Sequence, residues 1–158
     1  MLFVKLKTLT INDRLFRWLA LGATLAIFAS VVLGGMVRSA EAGLACGDWP
    51  MCLGQWLPPR EPNALVNYLH RLATAIVFPL LLVSIWVNRQ IGFSNPVIKK
   101  LLKVSMILLI LQVFMGWVIT SDRVLIYREW VSTIHMVLSL AMLGSMVAVV
   151  AFAWYRRY

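Results

Sequence analysis

"WVSTIHMVLSLAMLGSMVAVVAFAW", residues 130–154, contains no Asp, Glu, Lys or Arg. A helix needs about 20 mainly apolar residues to cross the hydrocarbon of a bilayer, and this stretch is long enough. Three further stretches qualify, near 16–37, 64–87 and 101–120. The chain has 158 residues, 61% of them hydrophobic and 13% charged, with a mean hydropathy of +0.84. A soluble domain of this size cannot bury that much apolar surface, so the solvent is lipid. The expected fold is all-α, one antiparallel four-helix bundle integral to a membrane, filling a single domain over 1–158. Basic residues precede the first span and no small-residue cleavage site follows it, so it reads as a retained helix rather than a removed signal peptide. Residues 1–13, "MLFVKLKTLTIND", read as an amphipathic lead-in on the inner surface. No internal repeat or soluble domain is apparent.

The charges orient the bundle. Lys5, Lys7, Arg14, Arg17, Arg89, Lys99, Lys100, Lys103, Arg156 and Arg157 fall on one side, with Asp13 as the single acid there. The other side is balanced: Arg38, Arg60, Arg71, Arg123 and Arg128 stand with Glu41, Asp48, Glu61, Asp122 and Glu129. The positive-inside rule then puts both termini in the cytoplasm of a multi-pass protein of the cell membrane. The net charge of +9 serves topology and anionic head groups, and nucleic acid is not an expected partner.

The longest connection, 38–63, falls on the outer side and holds both cysteines in "GLACGDWPMC", residues 43–52. Disulfides persist in that compartment, and a bond between Cys46 and Cys52 would hold the loop as a rigid cap. Two separate thiols are the alternative. Zinc would need about four ligands, and a Cys-x-x-Cys redox pair is not matched. Trp49 and Trp56 suit the membrane interface.

The only two histidines lie within spans. Ligating groups at such depth are costly and mark function by default. His70 sits about two turns into the second span and His135 one to two turns into the fourth, both from the outer end. At about 1.5 Å per residue they share one layer, roughly 8–10 Å below the outer surface. The second and fourth spans run in the same direction and can stand diagonally across a small bundle. Two imidazoles facing across it are what six-coordinate, bis-histidine haem iron requires. The plainer alternative is a pair of interhelical hydrogen-bond partners, worth about 1 kcal/mol each. Gly34, Gly35 and Gly116 leave room for a flat macrocycle. Arg38, Arg71 and Arg128 lie where haem propionates would point. Asn67, Thr74, Ser132 and Ser139 flank the histidines on the same faces, and Thr74 has its own helix carbonyl at His70 as an alternative partner. Gln112 is a further polar group in the apolar zone.

These residues resemble a family. "GGMVRSAEAGLACGDWPMCLGQWLPP" (34–59) resembles the first outer loop of the haem A synthases, membrane enzymes of cytochrome oxidase assembly. "NYLHR" (67–71), "LQVFMGWVIT" (111–120) and "WVSTIHMVLSLA" (130–141) are similar to that family's second, third and fourth helices. The resemblance implies axial haem ligands at His70 and His135, propionate partners at Arg38 and Arg71, and a Cys46–Cys52 disulfide. It implies oxidation of a ring methyl of haem o to the formyl of haem a, with a haem of b, o or a type bound. Many family members have eight helices from a duplicated unit, so a single unit implies self-association or an oxidase or assembly partner. The family's catalytic glutamate, three residues before the second-helix histidine, is here Asn67, which cannot ionise. A non-catalytic haem carrier or accessory oxidase subunit is therefore the alternative, and a membrane thiol oxidoreductase a third class.

Overall fold

The computed structural model describes residues 11–57, 59–90, 95–120 and 126–155. Residues 1–10 of the amphipathic lead-in, including Lys5 and Lys7, lie outside the described residues, as do Asp122, Arg123, Arg156 and Arg157. Four helices account for most of the chain: α1 (Ile11–Ser39), α2 (Pro62–Gln90), α3 (Pro96–Ile119) and α4 (Arg128–Tyr155). Each is long and apolar enough to cross a membrane. Large apolar side chains such as Leu25, Trp86, Ile110 and Val137 remain exposed on the outer surface of every helix, which suits lipid and not water. This is an all-α, multi-pass membrane bundle.

Local signals set where the helices begin. Asn95 caps α3 by accepting the Val97 N–H at 2.9 Å, with Pro96 in the first turn. The helix therefore starts ahead of the apolar span at 101 and carries Lys99 and Lys100 in its first turns. The Glu61 carboxylate accepts the Ala64 N–H at 2.6 Å and Pro62 opens α2, which likewise extends that helix. α1 ends at Ser39, and Glu41, with a φ of 52°, turns the chain into a short 3₁₀ turn, Ala42–Leu44.

α1 packs along both α2 and α4, and α3 packs along α4, whereas α2 and α3 barely touch. Around the bundle the order is thus α2, α1, α4, α3, with α2 and α4 on a diagonal. The half away from the long loop is a closed core around Phe16, Leu81, Ile98, Leu102 and Met146. Ser105 and Ser145 hydrogen-bond across it at 2.6 Å, and Arg17 lies over the Trp154 ring at 5.9 Å. The half beneath the loop is hollow. Ile27, Val77, Leu109 and Met142, one from each helix, close the core and floor the cavity above it.

Candidate functional site

Each floor residue has a counterpart seven positions toward the loop end: Gly34 on α1, His70 on α2, Gly116 on α3 and His135 on α4. Seven residues are two helical turns, or about 10 Å of rise, and return to the same face. One layer of the bundle therefore consists of two glycines and two histidines. Each glycine makes space for the histidine of its packed neighbour. A β-carbon on Gly34 would lie 3.0 Å from His70 Cε1, and one on Gly116 would lie 3.9 Å from His135 Cε1. The residues expected to open a slot for a macrocycle thus act first by seating the imidazoles; Gly35 faces open space in the cavity wall.

The imidazoles face each other with ring centroids 6.4 Å apart and planes at 76°. With metal–nitrogen bonds of about 2 Å and each nitrogen about 1 Å from its ring centre, two rings ligating one metal from opposite sides stand about 6 Å apart. The observed spacing fits. Around them lies a cavity of about 1490 Å³, larger than the ~300–1,000 Å³ usual for small-molecule sites. Its walls are mainly apolar, with Phe78 on α2, Phe114 on α3 and Trp49 and Trp56 at the loop. Among the described residues no three His, Cys, Asp or Glu cluster to hold a bare ion. The donor set is two nitrogens across a wide slot, which suits a metal carrying its own equatorial ligands.

The histidines are anchored through their helices. His70 Nδ1–H donates to the Ser30 carbonyl at 2.9 Å, so the other ring nitrogen, Nε2, is left for a metal. The Thr74 hydroxyl donates to the His70 carbonyl at 3.0 Å, and Ser30 Oγ then donates to Thr74 Oγ1 at 2.8 Å, closing a ring of bonds between α1 and α2. On the other side the His135 carbonyl accepts from Ser139 Oγ at 2.8 Å and from Gln112 Nε2 at 2.9 Å. Sequence reasoning missed Ser30. Its signal was small-residue spacing, four positions before Gly34 on the face that meets α2.

Asn67 lines the cavity but is only 4% exposed. Its amide nitrogen donates to the carbonyls of Ala42 and Gly43 at 2.7 and 3.0 Å, and its Oδ1 accepts from Arg71 Nε at 3.0 Å. Arg71 also donates through Nη1 to the carbonyls of Asp48 and Met51. The two residues bolt the long loop to α2. Beside them the Sγ atoms of Cys46 and Cys52 lie 2.02 Å apart, at bonding distance, and both residues are fully buried. Asp48 Oδ2 accepts the Gly54 N–H at 2.8 Å, a contact the sequence did not signal. Arg38 lines the cavity but is paired, with Glu129 at 2.8 Å and Ser132 Oγ at 2.7 Å. Arg128 Nε donates to the Ile119 carbonyl at 3.2 Å, while its Nη2 is buried with no partner among the described residues.

The family model described as "Cytochrome oxidase assembly protein" matches residues 17–65. The haem A synthase of Geobacillus kaustophilus is 34% identical over 107 residues, 66% of this chain and 33% of that protein. These matches support membership of the haem A synthase family. The haem A synthase of Lysinibacillus sphaericus is 32% identical over 108 residues, covering 66% of this chain and 35% of that protein. That of Bacillus cereus is 28% identical over 141 residues, covering 85% of this chain and 45% of the relative. The chain spans about a third of the length of the first of these family members. No solved structure matches.

Proposed function

We propose that the chain is a haem A synthase-type membrane protein that holds one haem between His70 and His135. In this reading it takes part in oxidising the ring methyl of haem o to the formyl of haem a for cytochrome oxidase assembly. The observation that carries the proposal is the 6.4 Å spacing of two imidazoles across a cavity with mainly apolar walls. The bound haem supplies the redox chemistry and, as haem o, the methyl that reacts. The protein's residues do the rest. His70 and His135 grip and orient the ring system, and Arg38 is the propionate partner once it exchanges Glu129 for the ligand. Arg71 is the second propionate candidate, through whichever donors the loop carbonyls leave over. The loop, closed by a Cys46–Cys52 disulfide and pinned by Asn67 and Arg71, screens the site from water. The termini face the cytoplasm and the cysteine loop the opposite side, following the basic residues.

One observation favours a second reading, a haem carrier or accessory oxidase subunit without methyl-oxidising activity. Asn67 stands where the family resemblance places a carboxylate, and its amide donates to two loop carbonyls. A carboxylate makes no such donation. Co-expression of the full chain with a haem o source, followed by haem extraction, separates the two. Hydroxylated or formyl haem from the wild type supports the oxidative reading. A haem-loaded wild type with unmodified haem supports the carrier, most sharply if Asn67→Glu then gives product. A wild type whose spectrum equals that of the His70→Ala/His135→Ala double variant removes both.

A further inference from the structure

The two histidine seats are built to one plan and differ most at the ring Nδ1 atom. Each lies two turns above a floor residue, each faces a glycine of the adjacent helix, and each has a hydroxyl four residues on that donates to its carbonyl. His70 Nδ1 has an acceptor, the Ser30 carbonyl at 2.9 Å. His135 Nδ1 is buried with no hydrogen-bond partner among the described residues.

Helix register explains the difference. Ser30 lies three residues beyond the floor residue Ile27 on α1, and Gln112 holds the same place beyond Leu109 on α3. Where α1 offers His70 a backbone carbonyl, α3 inserts the Gln112 side chain, 6% exposed. Its Nε2 bonds the backbone carbonyl of His135 and not the ring, and its Oε1 also has no partner among the described residues. The rings are confined to different degrees as well. A Gly34 β-carbon would stand 3.0, 3.4 and 3.8 Å from three His70 ring atoms, whereas around His135 the nearest approach to a Gly116 β-carbon is 3.9 Å.

An acceptor on the distal N–H fixes an imidazole's tautomer and raises its basicity as a ligand, and losing such support typically weakens metal binding about 10–100-fold. Resting on the reading that one haem lies between the histidines, we infer that His70 is the fixed axial ligand and His135 the exchangeable one. The coordination position on the α4 side therefore opens to a small neutral ligand such as carbon monoxide, while haem stays held from α2.

The test uses the full chain in detergent, loaded with haem b, so that no turnover is read. The wild type should be low-spin. His135→Ala should keep haem, become high-spin and bind carbon monoxide rapidly. His70→Ala should bind haem at least about 10-fold more weakly than His135→Ala. The reduced wild type should take up carbon monoxide slowly and finish with the spectrum of the His135→Ala adduct. Equal loss of haem in the two variants, greater loss in His135→Ala, or a reduced wild type that refuses carbon monoxide overturns the inference. Should His70→Ala fail to regain a low-spin spectrum with added imidazole, that variant reports misfolding. The wild-type carbon monoxide reaction then decides by the same criterion. A wild type that binds no haem removes the proposed function itself; a low-spin wild type with equivalent histidines removes only this inference.

Discussion

Gly34 of α1 and the imidazole of His70 on α2 occupy each other's space: a β-carbon at position 34 would lie 3.0 Å from His70 Cε1. That separation is well inside van der Waals contact, so the absence of a side chain at 34 is what lets the ring stand in the cavity wall. Gly34→Ala should displace the ring and weaken haem b binding about 10-fold, the scale on which support for a metal ligand acts. Gly116→Ala, with an ordinary 3.9 Å contact to His135, should change it by less than about 3-fold. Haem titrations followed by absorbance make the comparison, and equal effects at both positions would count against the glycines as seats.

Asn67 joins the loop to the second helix by donating twice. Asn67→Ala leaves the Ala42 and Gly43 carbonyls without their donor, and the loss should be about 1–3 kcal/mol of stability. Asn67→Asp should lose at least as much, because its carboxylate would face those carbonyls. Thermal unfolding in detergent reads the loss directly. A neutral Asn67→Asp would show that the amide's hydrogens do not hold the loop.

Arg71 meets three acceptors with one planar fork: Asn67 Oδ1 and the carbonyls of Asp48 and Met51. Lysine keeps the charge but cannot present that fork. Arg71→Lys should therefore loosen the cap nearly as much as Arg71→Ala. Limited proteolysis at Arg60, within the loop, should run several-fold faster in both variants, whereas a lysine variant as resistant as the wild type would reduce the contact to its charge.

The proposed Cys46–Cys52 disulfide would close a short ring within the loop. In the chain-entropy account a ring this small stabilises by about 2 kcal/mol. Cys46→Ser/Cys52→Ser should lower stability by that order and reproduce the effect of reductant on the wild type. Mass spectrometry under non-reducing alkylation should find no labelled cysteine in the wild type.

The Arg38–Glu129 pair makes the opposite case. Its side chains are 37% and 81% exposed, so solvent screens most of the attraction. Glu129→Gln should change stability by less than about 0.5 kcal/mol. It should strengthen haem binding if Arg38 is released toward a propionate, and leave binding unaltered if it is not.

Composition alone determined that the chain is a four-helix membrane bundle, because about 20 uncharged residues in a row leave little choice of solvent or of backbone. The shared depth of His70 and His135 was also legible, since helical rise is fixed and both lie a similar distance from the loop ends of parallel spans. Sequence could not tell which way a polar side chain turns once its helix is packed. Asn67 lines the cavity as its spacing from His70 suggests, but its amide's bonds to the Ala42–Gly43 carbonyls were not legible, and neither was the close approach of the His70 ring to Gly34. Ser30 acts through its backbone carbonyl as much as through its side chain, and no residue type advertises a carbonyl. Rotation of each helix about its axis is set by side-chain packing between helices, such as the contacts among Ile27, Val77, Leu109 and Met142. That rotation, which only the tertiary structure decides, gave His70 an acceptor and left His135 without one among the described residues.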